Sequence, residues 1–171
     1  GIRDVAVTGV QTCALPISAF VHDTAVSGAT GPVLGQRIRL DVSPAIGGLT
    51  YTTTRLDLRR YFLPARPMTV AVRAQHAARF GPGANDARLT PLLLGLQSLV
   101  RGYDLGKFAS DECGRGATSC SLVDELAGSR VAAVNLELRA PVLGLLTGDL
   151  DYGPLPIDVI AFFDAAWRSE E

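Results

Sequence analysis

Long stretches in which polar and apolar residues alternate one by one constrain this chain more than any other feature. From Gln36 to Ser43, Arg37, Arg39 and Asp41 alternate with Ile38, Leu40 and Val42. From Thr50 to Leu63, Arg55, Asp57 and Arg59 take one parity, and Leu56 and Leu58 take the other. Successive side chains of a strand point to opposite faces, so this pattern gives extended segments with one polar and one apolar side. Met68 to Phe80 continues it, with Met68, Val70 and Val72 opposite Thr69, Arg73, Gln75 and Arg79. Ser129 to Ala140 sets Val134, Leu136 and Leu138 against Asn135, Glu137 and Arg139. In Ile157 to Trp167 the odd positions are apolar, and Asp158 and Asp164 share the other parity. Phe20 to Ser27 is the weakest of these six segments. Gly31-Pro32, Gly47-Gly48 and the Pro64 to Pro67 span supply turns between them. The expectation is an all-β, antiparallel chain.

Two all-β architectures fit that pattern. A soluble β-sandwich turns its polar faces to water, whereas a membrane barrel turns them to its lumen and its apolar faces to lipid. The net charge of -1 gives no electrostatic case for nucleic acid. Mean hydropathy is slightly positive. Yet no run approaches the roughly 18 apolar residues of a membrane helix, and Pro91 to Leu94 is interrupted by Gly95 and Gln97. Strand length favours the barrel. A tilted strand needs about 9–11 residues to cross a bilayer, while strands in general have a mode near 5–6. Tyr51, Tyr61, Phe62, Phe80 and Trp167 fall near segment ends, where barrels carry aromatic girdles.

The first residues carry a different signal. Val7 to Ile17 reads VTGVQTCALPI, the codon-by-codon translation of a common sequencing-library adapter. Residues 1–18 are on that reading adapter-derived and no part of the fold, which occupies 19–171, and Cys13 leaves the cysteine count. The alternative is a genuine strand with a Cys-Ala-Leu-Pro turn. A signal peptide does not fit, because no basic start precedes an uninterrupted apolar core.

Residues 81–128 form a long excursion rich in Gly, Asp and Ser. A loop of that size is uncommon in a compact domain and is usually functional. It falls on the same side of the sheet as the Gly47-Gly48 turn. In outer-membrane barrels the long loops are extracellular and the short turns periplasmic, so on the barrel reading this loop is extracellular. It contains Leu99-Val100-Arg101-Gly102-Tyr103. Parity places Glu137 and Asp164 on the polar faces of the next two strands. A planar guanidinium can donate to two carboxylates at once in a fixed geometry that lysine lacks. The alternative is a solvated loop arginine.

Val100, Arg101, Gly102 and Tyr103, then Glu137, then Phe162-Phe163-Asp164-Ala165-Ala166, resemble in order the C-terminal barrel of the Omp85 superfamily. There a Val-Arg-Gly-Phe/Tyr loop folds into the lumen, the next strand carries a glutamate, and the following one carries Phe-x-Asp-x-Gly. Ala166 stands where that pattern has glycine. The resemblance implies a partial transmembrane antiparallel β-barrel, six strands of sixteen, in a bacterial outer membrane. It implies insertion of outer-membrane proteins or protein translocation, with no cofactor and no catalysis. The partners implied are the outer-membrane lipid bilayer, unfolded outer-membrane or secreted proteins, and periplasmic POTRA domains or accessory lipoproteins. Some members also carry a cysteine pair in this loop, which makes Cys113 and Cys120 a candidate disulfide. A zinc site is the competing idea, and two thiols without further ligands make a poor one; two free thiols are the remaining case.

An open sheet in lipid leaves edge amides unsatisfied. The chain also stops at Arg168-Ser169-Glu170-Glu171 without a terminal aromatic strand. A fragment incomplete at both ends, unable to fold stably alone, is therefore expected. Alternatives are a barrel that anchors or exports a fused hydrolase or propeller domain, and a soluble β-sandwich binding module. The sequence offers no catalytic constellation. His22 and His76 are its two histidines, and neither sits in a nucleophile–base arrangement. Ser27 and the Gly-Pro-Gly at Gly81 form neither a nucleophile elbow nor a phosphate loop. Asp111-Glu112 reads as a solvated pair.

Overall fold

The computed structural model describes residues 12–14, 18–86, 88–90, 92–93, 99–101 and 127–169. Most of these form one antiparallel sheet that does not close. Its strands are β1 Thr12–Ala14, β2 Ser18–Asp23, β3 Val26–Ser27, β4 Pro32–Gly47, β5 Tyr51–Ala65, β6 Met68–Phe80, β9 Arg130–Pro141 and β10 Asp158–Ser169. Between β6 and β9, β7 Leu92–Leu93 pairs with β8 Ala127–Gly128 in a separate short ladder. β1, β2 and β3 lie one after another along a single edge of β4. The order then runs β4, β5, β6, β9, β10.

The alternating segments all become strands, and the one from Gln36 to Ser43 extends well beyond its alternation. β4 has 16 residues and β5 has 15, because main-chain pairing continues past the alternating centre to Ala45 opposite Tyr51. The weakest segment is split: Thr24 leaves the ladder and donates its N–H to Gln36 O at 2.8 Å. The cause lies across the sheet at Gly35, whose φ is +100° and whose Cβ, if it had one, would sit 2.2 Å from Thr24 O. Only glycine fits there. β1 brings part of the adapter-like stretch alongside Ala45, Ile46 and Gly47. That pairing uses main-chain groups, which a free sheet edge offers to any extended segment.

The connection after β9 holds an element the alternation gave no sign of, the helix α1 Val142–Thr147. Gly148 ends it in the left-handed region, φ 79°, with its N–H donating to Gly144 O at 2.8 Å. No helix among the described residues is long and apolar enough to cross a membrane.

The sheet is curled. β4 and β10 are four strand positions apart, about 19 Å across a flat sheet. Nevertheless Thr30, in the turn before β4, donates to Asp158 at the start of β10 at 2.5 Å. Thr30 to Val33 share a small pocket with Thr69, Arg139 and Asp158, all of the polar parity, so the polar face is the concave one. The convex face carries cross-strand apolar rows, such as Ile38–Leu58–Ala74–Val134–Ala165 and Phe62–Val70–Leu138–Ala161. Its larger side chains are exposed, with Phe163 at 66% and Trp167 at 58%. Arg60 and His76 interrupt that face, and the Arg60 guanidinium lies 5.1 Å over the Phe62 ring. Buried hydrophobic residues are mostly small, among them Ala71, Ala78 and Ala133, and no large side chain among the described residues is fully buried. The apolar surface of this sheet faces out.

Candidate functional site

β9 and β10 bring the polar knot together through register. Asn135 lies directly opposite Asp164, and Glu137 opposite Phe162, all with side chains on the concave face. Above them the loop brings in Leu99, Val100 and Arg101. Leu99 and Leu92 pack with Ala77 and Ala166 around Val131, which is 5% exposed. This small apolar cluster fixes the loop against the sheet just beside the charges. Ala166, standing at a glycine position of the resembling motif, supplies a methyl to it.

Arg101 meets both carboxylates. Its Nε and Nη2 donate to the two oxygens of Asp164 at 2.9 and 2.8 Å, its backbone N–H donates to Asp164 Oδ2 at 2.9 Å, and its Nη1 donates to Glu137 Oε1 at 2.5 Å. The guanidinium also lies 4.1 Å from the centroid of the Phe162 ring, within cation–π range. The Asp164 side chain is 3% exposed, Glu137 17% and Arg101 33%. The most deeply placed charge therefore has the most complete set of donors, as a buried carboxylate requires.

Further residues complete the knot. Asn135 Nδ2 donates to Asp164 Oδ1 at 2.9 Å and to the backbone oxygen of Leu99 at 2.8 Å, which ties the loop's main chain to the sheet. Gln75 donates to Asn135 Oδ1 at 3.3 Å. Arg139 occupies the second oxygen of Glu137, with Nε at 2.6 Å and Nη2 in contact as well. Asn135 and Arg139 share the polar parity of Glu137, so their face was legible, while their place in the knot was not. Phe162 belongs to the Phe-x-Asp pattern, but its contact with Arg101 was not legible, because an aromatic on the polar parity carries no signal of its own.

A second ion-pair group lies across β5 and β6. Asp57 accepts two-pronged contacts from Arg59, at 3.0 and 2.7 Å, and from Arg73, at 3.1 and 2.8 Å. Between the groups is a cavity of about 300 Å³ lined by Arg59, Arg73, Leu99, Arg101, Asn135 and Glu137 among others. Val100 is half-buried beside Arg101. Gly102, Tyr103, Cys113 and Cys120 lie outside the described residues, as does most of the 81–128 excursion. Among the described residues no group of three or more His, Cys, Asp or Glu side chains is placed to hold a metal.

The arrangement is suited to holding a loop against a wall. Each nitrogen of the Arg101 fork donates to a carboxylate. No family model matches the chain, and no curated protein matches it. The fold it has is an all-β, open antiparallel sheet.

Proposed function

We propose that this sheet is part of a transmembrane β-barrel of Omp85 type in a bacterial outer membrane, serving insertion of outer-membrane proteins or protein translocation. The single observation carrying the proposal is that Arg101, from the loop, joins Glu137 and Asp164 from two neighbouring strands on the concave face. The direction of the curl supports it. A soluble sheet hides its apolar face, whereas this one presents it outward and keeps most of its arginines inside, as a barrel in lipid does. Five strands of 12 to 16 residues exceed the length needed to cross when tilted. Beyond the two-residue β7–β8 ladder, no second sheet, which the sandwich alternative requires, occurs among the described residues.

In this proposal the edges at β2 and β10 are closed by further strands, since unpaired edge amides are not tolerated in lipid. The knot holds the loop in the lumen and keeps the barrel in its working shape, a positioning role rather than a chemical one. The test is Arg101→Ala in cells that depend on the gene product. The expected result is a membrane-located protein that no longer supports assembly or export of its client proteins. Unimpaired assembly with R101A present at normal level would overturn the proposal.

A further inference from the structure

The concave face away from the Arg101 knot carries more positive charge than it neutralises. Register sets Arg37, Arg59 and Arg73 directly opposite one another across β4, β5 and β6. Like charges so placed repel, and each such contact destabilises the sheet unless something compensates. Asp57 compensates Arg59 and Arg73. Among the described residues Arg37 has only Asp23, at 3.6 Å, with both side chains 42% exposed. Arg39 is taken by Asp41. Arg55, exposed on β5, has no hydrogen-bond or ion-pair partner among the described residues. These side chains line an open groove of about 540 Å³, with Ala77, Leu92 and Val131 contributing apolar surface.

We infer that this groove binds an extended, acidic polypeptide segment. The spacing argues for a polymer lying along the strands. Arg37 and Arg39 are two residues apart on one face of β4, about 6.8 Å. Every second residue of an extended peptide repeats at that same distance, so alternate Asp or Glu side chains come level with successive arginines. Arg55 and Arg59 add two guanidiniums on the neighbouring strand, on either side of Asp57. The apolar patch at Ala77, Leu92 and Val131 accepts the aliphatic parts of such a segment. This inference stands on the face itself and does not need the membrane proposal.

The test is fluorescence anisotropy with the purified full chain, held folded in detergent micelles and checked by its strand circular dichroism. The probes are a labelled peptide of alternating Glu and Ser, and its Lys-Ser counterpart. The expected result is binding of the acidic peptide alone, weakening steeply between low and physiological salt. Arg55→Gln breaks no contact within the sheet and should lower the affinity about threefold, and the Arg37→Gln/Arg55→Gln pair about tenfold or more. Equal binding of both peptides, or affinity indifferent to R55Q and to the pair, would overturn the inference. So would pyrophosphate displacing the peptide at concentrations equal in charge to the peptide itself, since that would identify a small-anion site.

Discussion

Arg101 gives Asp164 three hydrogen bonds, one from its own backbone N–H and two from its guanidinium, so side chain and main chain of the loop are fixed to the same carboxylate. A salt bridge made by a side chain alone would leave the loop free to pivot about it. Here the peptide unit is bound too, and Asn135 holds the oxygen of Leu99 two residues earlier. The loop is anchored by its backbone.

Removing Arg101 strands Asp164, which is 3% exposed. Loss of one partner of a buried pair costs about 3–5 kcal/mol. Because Arg101 is itself a third exposed, Arg101→Ala should fall at the low end, about 3 kcal/mol, in denaturant unfolding of the detergent-folded protein. Arg101→Lys keeps the charge and loses the fork, so it should recover less than half of that loss. Full recovery by lysine would show that charge alone matters.

Asn135→Ala should cost about 2–4 kcal/mol, the net value of its three hydrogen bonds. Its more specific effect should appear in the loop. Amide exchange at residues 99–101 should speed up markedly while exchange in β4 and β5 stays unchanged. Uniform acceleration across the sheet would mean that Asn135 serves the strand rather than the loop.

Asp57→Asn removes the one carboxylate that Arg59 and Arg73 share. The two guanidiniums then face each other with no compensation. A destabilisation of about 2 kcal/mol is expected, within the range for hydrogen bonds to charged groups, and it should shrink as salt is raised. A salt-independent loss would point to packing instead. Unfolding at low and high ionic strength distinguishes the two.

Asp86, in the loop after β6, receives hydrogen bonds from the side chain and the backbone N–H of Arg88. These hold its carboxyl down at about 2. A depressed folded value means that the contact contributes fully above the ordinary carboxylate range and is lost as pH falls through about 2. Carboxyl-carbon NMR titration should therefore place Asp86 well below free aspartate, and Arg88→Gln should move it upward. An unshifted titration would contradict the contact.

How much of this was legible in the sequence depends on how local each cause is. Alternation between Arg37 and Val42, or between Val134 and Arg139, fixes which face each side chain takes, and parity alone placed Glu137 and Asp164 on one face. The break between β2 and β3 was not legible, because Gly35 causes it from the neighbouring strand. α1 was not legible either: Val-Leu-Gly-Leu-Leu-Thr is too short an apolar run to tell helix from loop by periodicity. Asn135 and Phe162 join the knot through the register of β9 and β10, a long-range pairing that no short stretch of sequence states.

The most direct measurement is labelling of single cysteines by a membrane-impermeant maleimide in intact outer membranes, with Cys13, Cys113 and Cys120 changed to serine. Cysteines replacing Leu58, Leu136 and Phe163, on the apolar convex face, should stay unlabelled until the membrane is dissolved. Those replacing Arg55 and Arg39, on the concave face, should label through the lumen. Equal labelling of both sets, or recovery of the protein in the soluble fraction, would contradict a sheet with lipid on one side and a water-filled lumen on the other.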